Sequence, residues 1–249
     1  MASDPTAPSR SDIADPARPL IAYKGLCKAF GDKVVLRGVD LDVNRGETQV
    51  IMGSSGSGKS VMLSMLVGLL TPDEGEVIFD GEDVAGYRTI DEWRRVWLRT
   101  GFLFQGAALF DSMNVGENVG FPLRQHSKMS EEQITARVAE VLSWIELEGI
   151  EKKMPSELSG GMQKRVGLAR AIVLEPEVVV YDEPTTGLDP LTSDTISELI
   201  RRLQRDALGL VVPHAELQRG DVRGDRPGVS RGGEDLHRVA ARGELVGVR

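Results

Sequence analysis

Eight consecutive residues, Gly53-Ser54-Ser55-Gly56-Ser57-Gly58-Lys59-Ser60, satisfy the pattern G-x-x-x-x-G-K-[ST] without a mismatch. The residue types define a chemistry. Glycines let main-chain N–H groups curl around an anion without side-chain clash. A helix starting directly behind them aims its unpaired N–H groups and positive dipole end at the same point. Lys59 is placed to reach the β- and γ-phosphates of ATP. Ser60 is placed to put its hydroxyl on Mg²⁺, which a triphosphate needs because one lysine cannot offset its charge. The flanks supply the required setting: Thr48 to Met52 reads as a strand and the apolar run Val61 to Leu70 as a helix. Without that strand-to-helix context the same letters would fit an incidental glycine-rich turn.

Further polar residues stand where buried elements end. Val178, Val179, Val180 and Tyr181 read as a buried parallel strand running into Asp182-Glu183. Adjacent carboxylates at such a strand end can divide the work, Asp182 supporting Mg²⁺ and Glu183 polarising the water that attacks the γ-phosphate. A solvated acidic pair fits badly after four apolar residues. The short strand Gly101 to Phe104 ends in Gln105, a polar amide for which Mg²⁺ or the attacking water is a candidate partner. Ser159-Gly160-Gly161 precedes a helical pattern through Val166, Leu168, Ala169 and Ile172 and makes a second anion cradle by the same physics. Phe30 falls in a break between the strands Leu20 to Tyr23 and Val34 to Leu36, where stacking on a base and ordinary core packing are both open.

Between these residues the chain alternates strands and helices. Trp93 and Trp97, four apart in the helical stretch Ile90 to Leu98, read as core packing. Gly106 to Leu123, with Leu109, Phe110, Met113, Phe121 and Leu123 among glycines and polar residues, reads either as a loop core or as a docking surface. Ser130 with Gln133 forms a capping box that opens a helix with Ile134, Val138, Val141, Leu142 and Ile145 on its apolar face. A second amphipathic helix follows Pro190, with Ile196, Leu199, Ile200 and Leu203 as its stripe.

Composition bounds the class. The 249 residues and 41% hydrophobic content fit one large domain or two lobes sharing a core. A net charge of −8 lacks the electrostatic footprint of a nucleic-acid binder, so no nucleic-acid partner is expected. Cys27 is the sole cysteine, which excludes an internal disulfide and a thiolate metal cluster. The opening residues are rich in Pro, Ala, Ser and Asp, lack the apolar core of a secretory signal, and read as a disordered lead-in over residues 1–19. The longest apolar run, Val61 to Leu70, contains Ser64 and Gly68. It falls far short of the roughly 20 residues that span a bilayer, so the chain is not expected to cross a membrane by itself.

The ordered set, a phosphate loop, a strand-end Gln, Leu158-Ser159-Gly160-Gly161-Met162-Gln163, an apolar strand with Asp182-Glu183, and Gly187-Leu188-Asp189, resembles the ATP-binding-cassette (ABC) ATPases from about Leu20 to Gln204. That resemblance implies an α/β fold of the P-loop NTPase class, with a RecA-like nucleotide lobe and a helical signature lobe. It matches Phe30 to the adenine-stacking position, Gln105 to the Q-loop, Ser159 to Gln163 to the signature, Asp189 to the D-loop and Glu183 to the catalytic base. It also implies that the signature of one protomer closes over ATP held by the phosphate loop of the other. With one copy of each motif, the working unit is expected to be a homodimer. Phe104 to Ser112, Glu117 to Arg124 and Pro155 to Leu158 look like the ATPases of the Mla/Mce phospholipid transporters. This implies an integral-membrane permease, an Mce-type lipid-binding partner and a place on the cytoplasmic face of the inner membrane. Another transported solute, and a non-transport ABC ATPase, are the competing readings. His214, 32 residues after Asp182, matches the switch histidine, although Pro213-His214-Ala215 departs from the family's usual Thr-His-Asp and an incidental loop histidine is the alternative. Residues 20–214 are thus expected to form the ATP-binding domain. Residues 215–249, with seven Arg, seven Gly and no Lys, Ile or Phe, form an atypical tail, either poorly ordered or read out of frame.

Overall fold

In the computed structural model, residues 18–46, 48–205, 209–213, 237–240 and 245–247 are described, as backbone alone from residue 204 onward. Strand β1 (Ile21–Phe30) turns at Gly31-Asp32 into β2 (Lys33–Val43), and the two pair antiparallel from Phe30↔Lys33 to Ile21↔Val43. β3 (Thr48–Met52) leads through the phosphate loop into α1 (Lys59–Leu66). β4 (Glu74–Phe79) pairs with the other edge of β1 and, through a tight turn at Asp80-Gly81, with β5 (Glu82–Asp83). α2 (Ile90–Trp97) precedes β6 (Thr100–Leu103). The helical lobe then interrupts the strands with α3 (Val115–His126), α4 (Glu131–Trp144) and α5 (Gly160–Ile172). β7 (Val178–Tyr181), α6 (Pro190–Arg205) and β8 (Gly209–Pro213) return the chain to the sheet.

Two short strands lie within the tail: β9 (His237–Ala240) pairs antiparallel with β3, and β10 (Leu245–Gly247) with β9. The sheets have the orders β2-β1-β4-β5 and β10-β9-β3-β8-β7-β6. β3, β8, β7 and β6 run parallel, so the C-terminal ends of β3, β7 and β6 lie on one side. That edge is where an open α/β sheet places its ligand.

β7 explains how one sheet serves two cores. All four of its residues are buried, and alternation sends them to opposite faces. Val178 and Val180 pack with α1 and the antiparallel sheet; Val179 and Tyr181 pack with α3, α4, α5 and α6. At the strand starts, away from the site, Arg45 and Arg99 alternate with Asp80 and Glu177, the Arg99 pairs lying at 2.7 Å. This cluster ties the β4–β5 turn to the parallel sheet.

Two local expectations change. The stretch from Gly106 to Leu123 is not a continuous loop, because Val115 onward is helical. Asn114 and Glu117 form a reciprocal capping box that outweighs Gly116, Gly120 and an internal Pro122. Of the tryptophan pair, Trp93 packs against the core as expected, whereas Trp97 lies at its margin. Val96 is the residue α2 buries, while Trp97 is 36% exposed and stacks on Trp93 at 6.4 Å. Trp93 instead lies over Gly68, where an added Cβ would come within 2.5 Å of its ring.

Candidate nucleotide site

Gly58 is the N-cap of α1 in the left-handed region, φ 99°, and offers no side-chain cap to the helix. A Cβ there would lie 2.6 Å from Leu36 and 2.9 Å from Val35, so both conformation and space demand glycine. Lys59 is only 3% exposed, and its Nζ donates to the carbonyls of Gly53 at 2.8 Å and Ser54 at 2.9 Å. The ammonium therefore sits inside the ring formed by Gly53, Ser54, Ser55, Gly56 and Ser57. Ser57 Oγ is buried with no partner among the described residues; a phosphate oxygen would give it one.

The strand ends converge on the same place. Ser60 Oγ donates to Asp182 Oδ1 at 2.7 Å across 122 residues of sequence. Burial pushes the Asp182 carboxyl above its usual range, with Glu183 adding to the shift, while the Ser60 hydrogen bond and the charges of Lys59 and Lys164 act the other way. A hydroxyl and a carboxylate side by side at a helix start form an all-oxygen donor set of the kind Mg²⁺ takes. Gln105 Nε2 donates to Glu183 Oε2 at 3.0 Å, and Thr186 Oγ1 donates to the same oxygen at 3.1 Å. Glu183 holds φ 49°, a left-handed conformation uncommon for a residue with a Cβ. Six residues named from sequence, Lys59, Ser60, Gln105, Asp182, Glu183 and the loop's Ser57, thus form one constellation.

The second cradle is separate. Ser159 caps α5 by accepting from Met162 N at 3.2 Å, and Ser159 and Gly160 are exposed. Gly161 is buried because Thr192 of α6 lies against it; a Cβ would be 2.4 Å from Thr192 Cγ2. Asp189 accepts from Thr192 N at 3.0 Å and from its hydroxyl, and these bonds hold its carboxyl below the usual range. Asp189 therefore sets the position of the residue that packs on the signature. Gln163 turns inward and donates to Pro155 O at 3.0 Å. Phe30 is 47% exposed at the end of β1, with the Lys28 ammonium 5.6 Å from its ring centroid, so it is not a core residue. His214 lies outside the described residues.

Two residues at the site escaped the sequence reading. Asn118 is fully buried and bonds the main chain of Phe110, Met113 and Asn114, fixing the segment after Gln105. Lys164 is 6% exposed and donates to the main-chain carbonyls of Gln105 and, at 3.3 Å, Glu183. Burial holds its ammonium below the ordinary lysine range, against the opposing pull of Asp182 and Glu183. One signal for Lys164 is present in the sequence: it continues the buried stripe Gly161, Leu168, Ile172 at helical spacing.

The model of the ABC transporter family matches residues 36–186. The chain is 48% identical over 200 residues to the chloroplastic protein Trigalactosyldiacylglycerol 3 of Arabidopsis thaliana, covering 76% of this chain and 57% of that protein. It is 46% identical over 198 residues to the probable ribonucleotide transport ATP-binding protein mkl of Mycobacterium leprae, 78% of this chain and 56% of that one. It therefore spans little more than half the length of either. With the intermembrane phospholipid transport system ATP-binding protein MlaF of Haemophilus influenzae it shares 42% identity over 200 residues, 78% of this chain and 74% of that protein. Among solved structures, a dimeric post-hydrolysis ATP-binding cassette bound to ADP and Pi superposes with a TM-score of 0.70 at 33% identity, covering 78% of this chain and 87% of that one. The chain belongs to the ABC transporter family.

Proposed function

We propose that this chain is the energising subunit of a transporter that moves phospholipid between membranes. It works as a homodimer on the cytoplasmic face of the inner membrane, with an integral-membrane permease and an Mce-type lipid-binding partner. The observation that carries the hydrolytic part is the meeting of Gln105 and Glu183 at 3.0 Å beside the Ser60–Asp182 pair. Lys59 leaves its two loop carbonyls for the β- and γ-phosphates when ATP enters. Glu183 takes the proton of the attacking water as its oxygen bonds to the γ-phosphorus and the bond to the ADP oxygen breaks. Gln105 orients that carboxylate, and Phe30 offers an exposed ring face to the adenine. Ser60 and Asp182 would hold Mg²⁺, whose contribution is to neutralise charge on the phosphate oxygens.

The membrane partner is supported by an apolar groove of about 420 Å³ beside Gln105, lined by Phe102, Phe104, Phe110, Phe121 and Pro122. Among the described residues no helix is long and apolar enough to cross a membrane. Phospholipid as cargo rests on the naming of the MlaF relatives, and the mkl naming keeps another solute as the second reading. Glu183→Gln in the assembled complex tests the chemistry: ATP affinity is retained and turnover lost, and a turnover equal to wild type removes Glu183 as base. Lipid analysis of the native complex tests the cargo, with enrichment of phospholipid over the surrounding membrane expected and its absence favouring the second reading.

A further inference from the structure

A lysine buried in a helix interior needs a reason, because an aliphatic side chain of the same volume would pack there without desolvating a charge. Lys164 is 6% exposed, yet the hydrogen bonds it makes go to two main-chain carbonyls rather than to a carboxylate. Those carbonyls belong to Gln105 and Glu183, the two residues whose side chains meet at 3.0 Å. One is the residue after Phe104 at the end of β6, the other follows β7, and no element other than α5 sends a hydrogen-bonding side chain to both among the described residues. Glu183 is also held at φ 49°. A left-handed residue with a Cβ is disfavoured and persists where its surroundings fix it. A donor on its carbonyl is such a fixture.

We infer that Lys164 is a positioning residue for ATP hydrolysis: by fixing the main chain of Gln105 and Glu183 from one ammonium, it sets the distance and angle at which their side chains face the attacking water. The inference rests on Glu183 being the base. Because Lys164 lies one turn beyond Ser159 and Gly161, the helix that presents the signature also carries the atom that aligns this chain's own hydrolytic pair. The carboxylate–amide pair, on the two segments that follow β6 and β7, is thereby tied to a helix.

Lys164→Met and Lys164→Arg, made in the assembled transporter beside Glu183→Gln, test it through turnover at saturating ATP and the affinity for a fluorescent ATP analogue. Misplacement of a catalytic group by about 1 Å costs on the order of 100-fold. Lys164→Met is therefore expected to lower kcat by about 10- to 100-fold while nucleotide affinity stays within about twofold. Lys164→Arg, which keeps a cation with paired donors, is expected to recover part of kcat. A Lys164→Met kcat within about twofold of wild type overturns the inference, and so does a parallel loss of kcat and affinity in both variants. In the latter case the lysine holds the lobe together and not the pair. The two readings separate cleanly. If Glu183→Gln is inactive and Lys164→Met fully active, only the lysine's role falls; if Glu183→Gln is active, the base falls and this role with it.

Discussion

The chain has two helix starts whose sequences read as anion cradles, and they are built differently. α1 begins at a left-handed glycine with no side-chain cap, and its loop closes on the Lys59 ammonium. α5 begins at Ser159, whose own hydroxyl already satisfies one N–H of the first turn. The first start can enclose an anion on its own, because charge, N–H donors and the Ser60–Asp182 pair come together there. The second presents an exposed serine and glycine on a dipole end, which is enough to complete a site but not to make one. In the homodimer proposed above, a start of the second kind completes the site of the partner chain.

The largest expected effect follows from that contrast. Lys59→Ala removes the ammonium that donates to the Gly53 and Ser54 carbonyls; if it makes two charge-assisted contacts to the phosphates, each worth about 1.5–3 kcal/mol, ATP affinity should fall by about 100-fold or more. A variant that still binds ATP within about tenfold of wild type would make the two starts equivalent.

Next comes the sharing of the second start between chains. Ser159→Asp keeps a good helix cap but sets a carboxylate against incoming phosphates, so it should fold normally and fail to hydrolyse ATP. Mixed with inactive Lys59→Ala chains, it should regain activity. Each mixed dimer contains one site made of an intact loop from one chain and an intact signature from the other. Demonstrated mixed dimers with no activity would break the reading of trans closure.

How much of this was legible in the sequence depends on whether the chemistry sits in consecutive residues. Gly53 to Ser60, Asp182-Glu183 and Ser159 to Gly161 declare themselves because a loop, a strand end and a helix start each need a local pattern. The meeting of Gln105 with Glu183 across 78 residues required only that two neighbouring parallel strands end together. Lys164 was hidden for a physical reason: the charged pair Lys164-Arg165 reads as a solvated helix face, which masks the helical spacing that sets Lys164 in the buried stripe with Gly161 and Leu168. The start of α3 was masked by Gly116, Gly120 and Pro122, which lower helix propensity while a cap at Asn114 and tertiary packing restore the helix. β9 and β10 carry no strand period that sequence reasoning could use; β9 is placed by main-chain pairing with β3, and β10 by pairing with β9.

A smaller effect probes why the second start must be flanked by α6. Gly161→Ala places a methyl group 2.4 Å from Thr192 Cγ2, an overpacking that costs about 1–3 kcal/mol of stability. Thr192→Ser deletes the opposing methyl group and keeps the hydroxyl that Asp189 holds. The double variant should therefore unfold at a urea midpoint closer to wild type than Gly161→Ala alone. Strict additivity of the two substitutions would show that the contact does not constrain the helix start.

The smallest effects come from truncating the serine at each start, and pH tells them apart. Ser159→Ala removes a neutral cap and should cost about 1 kcal/mol. Ser60→Ala removes a donor to a buried carboxylate, worth about 1.5 kcal/mol or slightly more while that carboxylate is ionised. Asp182 has a folded pKa raised above its ordinary 3.8, chiefly by burial, and the Ser60 hydrogen bond opposes that rise. Losing Ser60 therefore lifts the folded pKa further, and the penalty of the substitution is complete only above it. As pH falls through that raised pKa, Asp182 takes up a proton, no longer needs a donor, and the difference between wild type and Ser60→Ala shrinks. The Ser159→Ala difference involves no titrating group on either partner and should stay level over the same range. Urea unfolding of the nucleotide-free chains at several acidic pH values reads both curves. A Ser60→Ala penalty that stays constant would mean Asp182 is not the residue it supports, and a Ser159→Ala penalty that fades would mean its cap depends on a nearby charge.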